Sequence, residues 1–181
     1  MNMYLSTITT AGSATDYHCH QVVKHMFKDS TRPLFRTLYA AGTKYIRVLS
    51  DKHAASDKAF DGSKMVSSKE VSSLPGKTVN FYLKVNPTRS VRVGERKSTK
   101  QGIIDPNAVT EWLQKKMRGC SIIEHRVSPA GLQKIPEKGT SAYIHEVSGV
   151  IEITNLEEFT GTLINGLGSS KFIGCGMIDV W

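Results

Sequence analysis

The stretch Gly166-Leu-Gly-Ser-Ser-Lys-Phe-Ile-Gly-Cys-Gly176, near the end of the chain, is the part around which the sequence is organised. Four glycines and one lysine fall within these eleven residues. Glycine lets backbone N–H groups approach a ligand closely, and lysine adds a mobile positive charge, so this composition suits a phosphate group. A helix-like segment precedes the stretch and a strand-like segment follows it. A dinucleotide-binding turn has the opposite order, with a strand before the glycines and a helix after them.

A Walker A loop does not fit this stretch either. Lys171 is neither preceded by glycine nor followed by serine or threonine, as that motif requires. Glycines at such positions also occur in tight helix-to-strand connections, where positive φ angles are needed. The stretch alone therefore leaves two interpretations open, a phosphate-binding loop and a purely structural connection.

The charge of the chain indicates an anionic partner. There are 24 lysines and arginines against 16 aspartates and glutamates, a formal net charge of +8. This balance favours nucleic acid or an acidic membrane surface. No apolar run approaches the length of a membrane span and no signal-peptide pattern is present, so we expect a cytoplasmic protein that does not enter a membrane. Cys19, Cys120 and Cys175 are odd in number and far apart, which is typical of reduced cysteines.

The two halves of the chain show the same order of predicted elements. Each half has a strand, a helix, further strands and a second helix before its last strand, which is the order of a ferredoxin-like domain. The segment Ser72-Ser-Leu-Pro-Gly76 separates the halves. The sequence thus predicts an α+β fold of two tandem ferredoxin-like (RRM-like) domains, residues 1–73 and 77–181. The first predicted helix follows a cap offered by Ser13, Thr15 or Asp16, and three others cover residues 53–60, 105–117 and 156–163. The predicted strands cover residues 3–10, 34–39, 44–49, 64–71, 78–85, 121–127, 142–154 and 172–180.

The first helix carries a patch of polar side chains. Tyr17, His20 and Lys24 are three and four residues apart and therefore lie side by side on one helix face. The opposite face is apolar at helical spacing, which predicts that it is buried. The apolar residues are Cys19, Val22, Val23, Met26 and Phe27.

Histidine can take or give a proton near neutral pH, which makes His20 a candidate catalytic residue. The sequence has no HExxH motif, no Cys/His pair at finger spacing and no carboxylate dyad, so we expect neither a metal nor a cofactor. The residues can assemble a metal-free reaction on RNA, in which a 2′-hydroxyl attacks the adjacent phosphate. His20 could be the acid or the base, and Tyr17 could donate to the phosphate or position the histidine. Lys24, Lys171 and the amides of the glycine-rich stretch could hold the anion.

Residues 86–102 are the most basic part of the chain and contain a single acid, Glu95. Serine, threonine and glycine punctuate this segment, and we predict a flexible arm that could follow phosphates, although many such runs are only solvated loops. A second polar and basic connection spans residues 128–139. The basic candidates for RNA contact in the two segments are Arg89, Arg92, Arg96, Lys97, Lys100, Lys134 and Lys138.

Five short segments, taken together and in this order, resemble a known family and cover nearly the whole chain. The family is that of the CRISPR-associated endoribonucleases that cut precursor crRNA, in particular the CasE family. Tyr17 and His20 match the family's catalytic tyrosine and histidine. The matching segments are Met3-Tyr-Leu-Ser, Tyr17-His-Cys-His20, Phe81-Tyr-Leu-Lys-Val-Asn-Pro87, Trp112-Leu-Gln-Lys-Lys and the glycine-rich stretch.

The resemblance implies two ferredoxin-like domains, with the glycine-rich loop in the second, and metal-free cleavage of a repeat stem-loop. The implied products are a 2′,3′-cyclic phosphate and a 5′-hydroxyl, with the guide RNA retained among other subunits of a Cascade-type complex. Besides the basic segments, the expected RNA contacts are Lys24, Gly166, Gly168, Lys171, Gly174 and Gly176.

Two other functions stay open on the sequence alone. A non-catalytic RNA-binding or scaffold subunit would have the same fold and charge, although the aromatic-rich RRM signature is absent. A small-molecule-binding ferredoxin-like domain would use the glycines for the phosphate of a nucleotide.

Overall fold

The computed structural model describes residues 3–55, 60–74, 76–93 and 97–181. None of the helices in these residues is long and apolar enough to cross a membrane. The helices are α1 (Asp16–Met26), α2 (Pro106–Lys116) and α3 (Leu156–Asn165), with short 3-10 helices at Pro136–Lys138 and Lys171–Ile173. The strands are β1 (Tyr4–Thr10), β2 (Leu34–Ala40), β3 (Thr43–Ser50), β4 (Lys64–Glu70), β5 (Thr78–Val85), β6 (Thr88–Val93), β7 (Lys97–Gly102), β8 (Cys120–Val127), β9 (Gly131–Ile135), β10 (Thr140–Ile153) and β11 (Ile178–Val180).

The first sheet contains the strands of the N-terminal half in the order β2-β3-β1-β4, with antiparallel neighbours. Of the three candidate caps, Thr15 is the one at the start of helix α1, because its hydroxyl accepts a hydrogen bond from the His18 N–H at 3.1 Å. Its apolar face is buried against the sheet, as the helical spacing predicted. The core on this side consists of Ile8, Cys19, Val22, Val23, Met26, Phe27, Phe35, Ile46 and Val48.

The second sheet repeats this arrangement in the C-terminal half. Its strands follow the order β11-β5-β10-β8, again antiparallel, so both sheets have the spatial order second, third, first, fourth. Strand β5 alternates buried and outward side chains, and its buried residues pack with those of α2 and α3. Helix α2 has Pro106 in its first turn, as predicted, after an Asp105 cap. The α+β fold with two tandem ferredoxin-like units is therefore confirmed.

Several segments differ from the sequence-based expectation. The segment expected to be a flexible arm contains a pair of strands: β6 and β7 are antiparallel from Thr88↔Gly102 to Val93↔Lys97, and residues 94–96 lie outside the described residues. The basic connection of residues 128–139 contains β9, which pairs with the first part of β10. These three strands, β6, β7 and β9, were not predicted because charged and polar residues obscure their alternation.

Two further expectations fail or fall outside the description. The last strand was expected over residues 172–180 but covers only Ile178–Val180, because Gly174 and Gly176 take φ angles of +78° and +91° that break a strand. Residues 53–55 are not helical and Phe60 forms a β-bridge with Ser63. The centre of the predicted helix 53–60 lies outside the described residues.

The two halves are joined by a buried carboxylate. Asp179 on β11 is 4% exposed and pairs with Arg36 from β2 and, at 3.1 Å, with Arg47 from β3. The Arg36 guanidinium also lies over the Tyr82 ring of β5, 4.9 Å from its centroid. Apolar residues of the first half, among them Leu34, belong to the core of the second. Charge pairing and burial together therefore fix one sheet against the other.

Replacing Asp179 by asparagine should lower the free energy of unfolding by about 3 kcal/mol, because two arginines would be left at a buried interface without a counter-charge. Urea denaturation followed by circular dichroism measures this loss. The control is Glu152→Gln, which breaks the exposed pair with Lys77 and should change stability little. Equal losses in the two variants would contradict a stabilising role for Asp179.

Candidate functional site

An open groove of about 600 Å³ lies where helix α1 meets the loop of residues 166–176, here called the glycine loop. His20 faces it from the helix, and Ser169, Ser170 and Lys171 face it from the loop. Within the described part of the chain, its lining includes no aspartate or glutamate. We call it the His20 groove, and its positively charged side chains are Lys24, Lys28, Arg32 and Lys171.

The His20 ring sits among three aromatic rings. The ring centroid of Tyr17, one helical turn earlier, is 6.2 Å away. Phe35 of β2 and Phe172 of the glycine loop each have centroids 6.3 Å from the imidazole. The imidazole is thus held between the sheet of one half and the loop of the other. Tyr17 lies beside it, as the three-residue spacing on the helix predicted.

The surroundings of His20 favour its neutral form. Burial lowers the pKa of the imidazole below its usual value, and the positive charges of Lys24 and Lys138 lower it further. Lys138 lies on the 3-10 helix before β10, and its ammonium stands 3.9 Å from the centroid of the Phe172 ring. A neutral imidazole at neutral pH is the form that accepts a proton.

The glycines give the loop its shape. Gly166 and Gly176 have φ angles of +61° and +91°, and a Cβ on Gly166 would lie 2.6 Å from the Gly176 carbonyl oxygen. The Gly176 N–H donates to the Lys84 carbonyl at 2.7 Å, while the Leu167 N–H donates to the Gly176 carbonyl at 2.9 Å. Only glycine permits this closure, in which backbone hydrogen bonds join the two ends of the loop to each other and to β5. The N–H groups of Leu167 and Gly176 are thereby used within the protein.

Asn86, just after β5, positions the serines of the loop. Its side-chain amide donates to the Ser170 hydroxyl at 2.8 Å, and its backbone carbonyl accepts from the Ser169 N–H at 3.2 Å. The Lys171 ammonium donates to the Asn165 carbonyl at 2.6 Å. Burial and the nearby Arg32 both lower the Lys171 pKa. The loop thus presents hydroxyls and one ammonium to the groove in fixed positions.

A second carboxylate, Asp16, fixes the start of helix α1 to the other half. It accepts hydrogen bonds from Lys84 of β5 at 3.1 Å, from Gln133 of β9 at 3.1 Å and from Thr37 of β2 at 3.2 Å. Burial acts to raise the Asp16 pKa, but Lys84 and Gln133 outweigh it and the pKa is lowered. The helix that carries His20 is consequently anchored one turn before the histidine.

The structure groups some of the predicted site residues and separates others. His20, Lys24, Gly168 and Lys171 line the His20 groove, and Lys138 and Tyr17 lie next to His20. The amides of Gly166, Gly174 and Gly176 donate to backbone carbonyls, and as RNA contacts these glycines stay a prediction. Arg89 and Arg92 on β6, Lys100 on β7 and Lys134 on β9 lie outside the groove lining, Lys97 is the first residue of β7, and Arg96 lies outside the described residues.

Sequence reasoning did not assign several groove residues. Lys28 follows Lys24 by four residues, so helical spacing could have indicated it. Arg32 and Phe172 carry no such signal, because they reach the groove from loops. Among the described residues, no three histidine, cysteine, aspartate or glutamate side chains gather in a way that could hold a metal ion.

Fold and groove together define a class: proteins of two ferredoxin-like units in which a histidine on the first helix faces a glycine-rich loop of the second unit across a basic groove. A model of the CRISPR associated protein family matches residues 3–181, and the chain belongs to that family. This confirms the resemblance predicted from the sequence. No protein of curated function matches the chain by sequence.

Solved structures of the same fold cover essentially the whole chain. The CRISPR endoribonuclease Cse3 bound to a 19 nt RNA has a TM-score of 0.83 at 17% identity, with 100% of both chains covered. Thermus thermophilus Cse3, bound to an RNA representing a pre-cleavage complex, has a TM-score of 0.84 at 18% identity, with 100% of both chains covered. Cas6e from Escherichia coli str. K-12 has a TM-score of 0.77 at 20% identity, with 98% of each chain covered. At these identities the likeness establishes the fold, and the chemistry of the groove rests on the residues of this chain.

Replacing Lys138 by methionine should raise the pKa of His20, because removing a nearby positive charge makes the imidazolium less unfavourable. The titration of the His20 ring protons by NMR measures this change. Lys116→Met, which removes the same charge at the end of α2, serves as the matched control and should leave the His20 titration unchanged. An unaltered His20 pKa in the Lys138 variant would show that the lysine does not act on the histidine.

Proposed function

We propose that this protein is a metal-independent endoribonuclease that cuts precursor crRNA at repeat stem-loops and retains the guide RNA in a CRISPR effector complex. The observation that carries the proposal is the His20 groove. A histidine from the first half and the serines and lysine of the glycine loop from the second line a single groove, where one phosphate can contact both. Membership of the CRISPR associated protein family supports the choice of substrate.

The proposed reaction is an attack of a 2′-hydroxyl on the adjacent phosphorus. A bond forms between the 2′-oxygen and phosphorus, and the bond from phosphorus to the 5′-oxygen breaks, leaving a 2′,3′-cyclic phosphate and a 5′-hydroxyl. His20 accepts the proton of the 2′-hydroxyl, because its lowered pKa keeps the imidazole neutral. Water in the open groove protonates the departing 5′-oxygen.

The charge that develops on the phosphate needs donors that are already in place. Lys24 and Lys171 line the groove with His20 and supply positive charge. The Tyr17 ring lies beside the histidine, and its hydroxyl donates to a phosphate oxygen or holds the imidazole in position. Asn86 and the closed glycine loop fix the Ser170 hydroxyl, so little reorganisation is needed as the charge moves.

The basic side chains outside the groove are proposed to hold the stem of the RNA. Arg89, Arg92 and Lys100 lie on the β6–β7 hairpin, where Arg89 is opposite Gln101 and Lys100 is opposite Ser90. Lys134 lies on β9, and Lys138 lies in the 3-10 helix before β10. Phosphate contacts of this kind set the position of the RNA without reading its bases. Arg96 and Lys97 are assigned the same role from the sequence alone.

The remaining assignments concern organisation and setting. We propose that the chain divides into an N-terminal domain, residues 1–73, and a C-terminal domain, residues 77–181, each with its own sheet. A solved structure within a CRISPR RNA-guided surveillance complex has the same fold, with a TM-score of 0.71 at 16% identity, which supports a place among other effector subunits. The free cysteines Cys19, Cys120 and Cys175 suit a reducing compartment such as the cytoplasm.

The His20→Ala variant should cleave a repeat stem-loop RNA about 10²-fold more slowly than the unaltered protein, or slower still, since a general base contributes that order of rate. Both proteins are assayed under single-turnover conditions in EDTA, where the unaltered protein should remain active. RNA binding by the variant should be nearly unchanged. His25→Ala is the matched control, because His25 lies on the same helix but stacks on Phe60.

Three results would count against the nuclease. Intact RNA at saturating unaltered protein would favour the alternative of a non-catalytic RNA-binding or scaffold subunit. Cleavage that stops in EDTA would require a metal. A loss of binding as large as the loss of cleavage in His20→Ala would make His20 a contact residue only.

Neutralising a hairpin lysine should weaken RNA binding in a salt-dependent way. Lys100→Gln should reduce the slope of log K against log salt by about one, because one phosphate contact is lost. Fluorescence anisotropy with a stem-loop RNA at several salt concentrations measures the slope. The control is Lys115→Gln on α2, which lies outside the proposed contacts. Identical slopes for the two variants would remove the hairpin from the RNA interface.

A further inference from the structure

A second, smaller cavity adjoins the His20 groove and is not explained by the proposed reaction. It lies between the end of β3, the loop from α1 to β2 and the end of α3. Thr31 and Arg32 line both the cavity and the groove, so the two spaces are neighbours that share a wall. Asn165, at the mouth of the cavity, accepts the hydrogen bond from the Lys171 ammonium of the groove.

The walls and the size of this cavity suit one flat, largely apolar group. Met3, Leu49 and Ile164 provide apolar surface. The volume of about 230 Å³ corresponds to roughly eight water molecules at about 30 Å³ each. A single nucleobase fits such a space, and two stacked bases do not.

Two charged side chains line the cavity, Arg32 on the wall shared with the groove and Asp51. Asp51 lines it and accepts hydrogen bonds from the Ser30 hydroxyl and, at 3.1 Å, from the Thr31 N–H. The Ser30 hydrogen bond, with that of Thr31, keeps the pKa of Asp51 below its usual range, so the group is an ionised acceptor at neutral pH. A carboxylate repels a phosphate but accepts hydrogen bonds from the amino group of a base.

We propose that this cavity receives the unpaired nucleobase next to the scissile phosphate, with Met3, Leu49 and Ile164 against its faces and Asp51 accepting from its amino group. The inference rests on the proposed function and adds a specificity site to it. Arg32 on the shared wall and Lys171 of the groove then hold the phosphate that joins this nucleotide to the one in the groove. Guanine, adenine and cytosine satisfy Asp51, whereas uracil has no amino group to offer.

An unpaired nucleotide is the occupant that costs least to place there. A base within the stem would first have to leave its pair and its stack, which an unpaired base at the end of the stem does not. Proteins that read RNA sequence commonly bind such splayed bases on their Watson–Crick edges. The cavity therefore suits the junction between the stem and its single-stranded flank.

The test uses the full chain and one stem-loop RNA whose cleavage site has been mapped. The unpaired nucleotide beside that site carries guanine, uracil or no base, with the ribose and phosphate retained. The abasic RNA should be cleaved with a kcat/KM about 10-fold below that of the guanosine RNA, and the uridine RNA should fall between them. Equal kcat/KM values for the guanosine and abasic RNAs would overturn the proposal.

The variant Asp51→Asn separates recognition from a general loss of folding. It should lower kcat/KM for the guanosine RNA to about that of the uridine RNA and leave the abasic RNA unaffected, since no base is present to contact. Asp29→Asn removes the same charge from an exposed position in the loop between α1 and β2 and should change none of the three. Slowing of all three RNAs by the same factor in Asp51→Asn would exclude base recognition by Asp51.

The outcome also distinguishes this proposal from the nuclease itself. If the unaltered protein cut none of the RNAs, the endoribonuclease assignment would fail. Guanosine and abasic RNAs would then be prepared for each unpaired nucleotide that flanks the stem. Their equilibrium binding would show, without any cleavage, whether the cavity receives a base. Tighter binding of the guanosine RNA at one position, lost in Asp51→Asn, supports the cavity, and equal binding throughout rejects it.

Discussion

The hydrogen bonds of Asp16 determine where the imidazole of His20 lies, because they tie the first turn of α1 to strands of both halves. Lys84 and Gln133 donate to this carboxylate from the second half, at 3.1 Å each, and Thr37 donates from the first. Without such a tie, α1 would be held by the apolar face that it buries on its own sheet and by its contacts with the glycine loop, such as that of His20 with Phe172. The groove exists only if the two halves keep one relative position, since His20 and Lys171 come from different halves.

A second buried carboxylate, Asp179, also fixes the relative position of the two halves. Asp179 draws Arg36 and Arg47 of the first sheet onto β11, directly after the glycine loop. The loop is itself closed onto β5 through the Gly176 and Lys84 backbone groups. Lys84 thus supports both sides of the groove, the helix through its side chain and the loop through its carbonyl. Such coupling lets a long, glycine-rich connection hold the serine hydroxyls in fixed positions.

Local sequence patterns predicted the parts of the site that lie on one element. Helical spacing placed Tyr17 beside His20. The order of helix, glycines and strand indicated that the glycine loop connects a helix, α3, to a strand, β11. The pattern could not predict the ties between halves, since Asp16 and its partners Lys84 and Gln133 are 68 and 117 residues apart in sequence. Strands β6, β7 and β9 were missed for a different reason, because basic and polar side chains obscure the alternation that identifies a strand.

Electrostatics explains why the acids lie at the junction and the cations in the groove. Asp16 and Asp179 are paired at the junction, which leaves Lys24, Lys28, Arg32 and Lys171 without a carboxylate in the described lining of the groove. Their mutual repulsion opposes folding, and an anionic ligand relieves it.

Nearby positive charges also set the pKa of His20, the proposed general base. Burial, Lys24 and Lys138 lower the pKa of His20 in the free protein, whereas a bound phosphate would raise it. A general base works best when its pKa lies near the working pH. If the pKa of His20 began at its ordinary value, the bound phosphate would raise it and favour the imidazolium, which cannot accept a proton. The lysines beside His20 therefore do two things at once, since they attract the RNA and keep the histidine able to accept a proton after the RNA has bound.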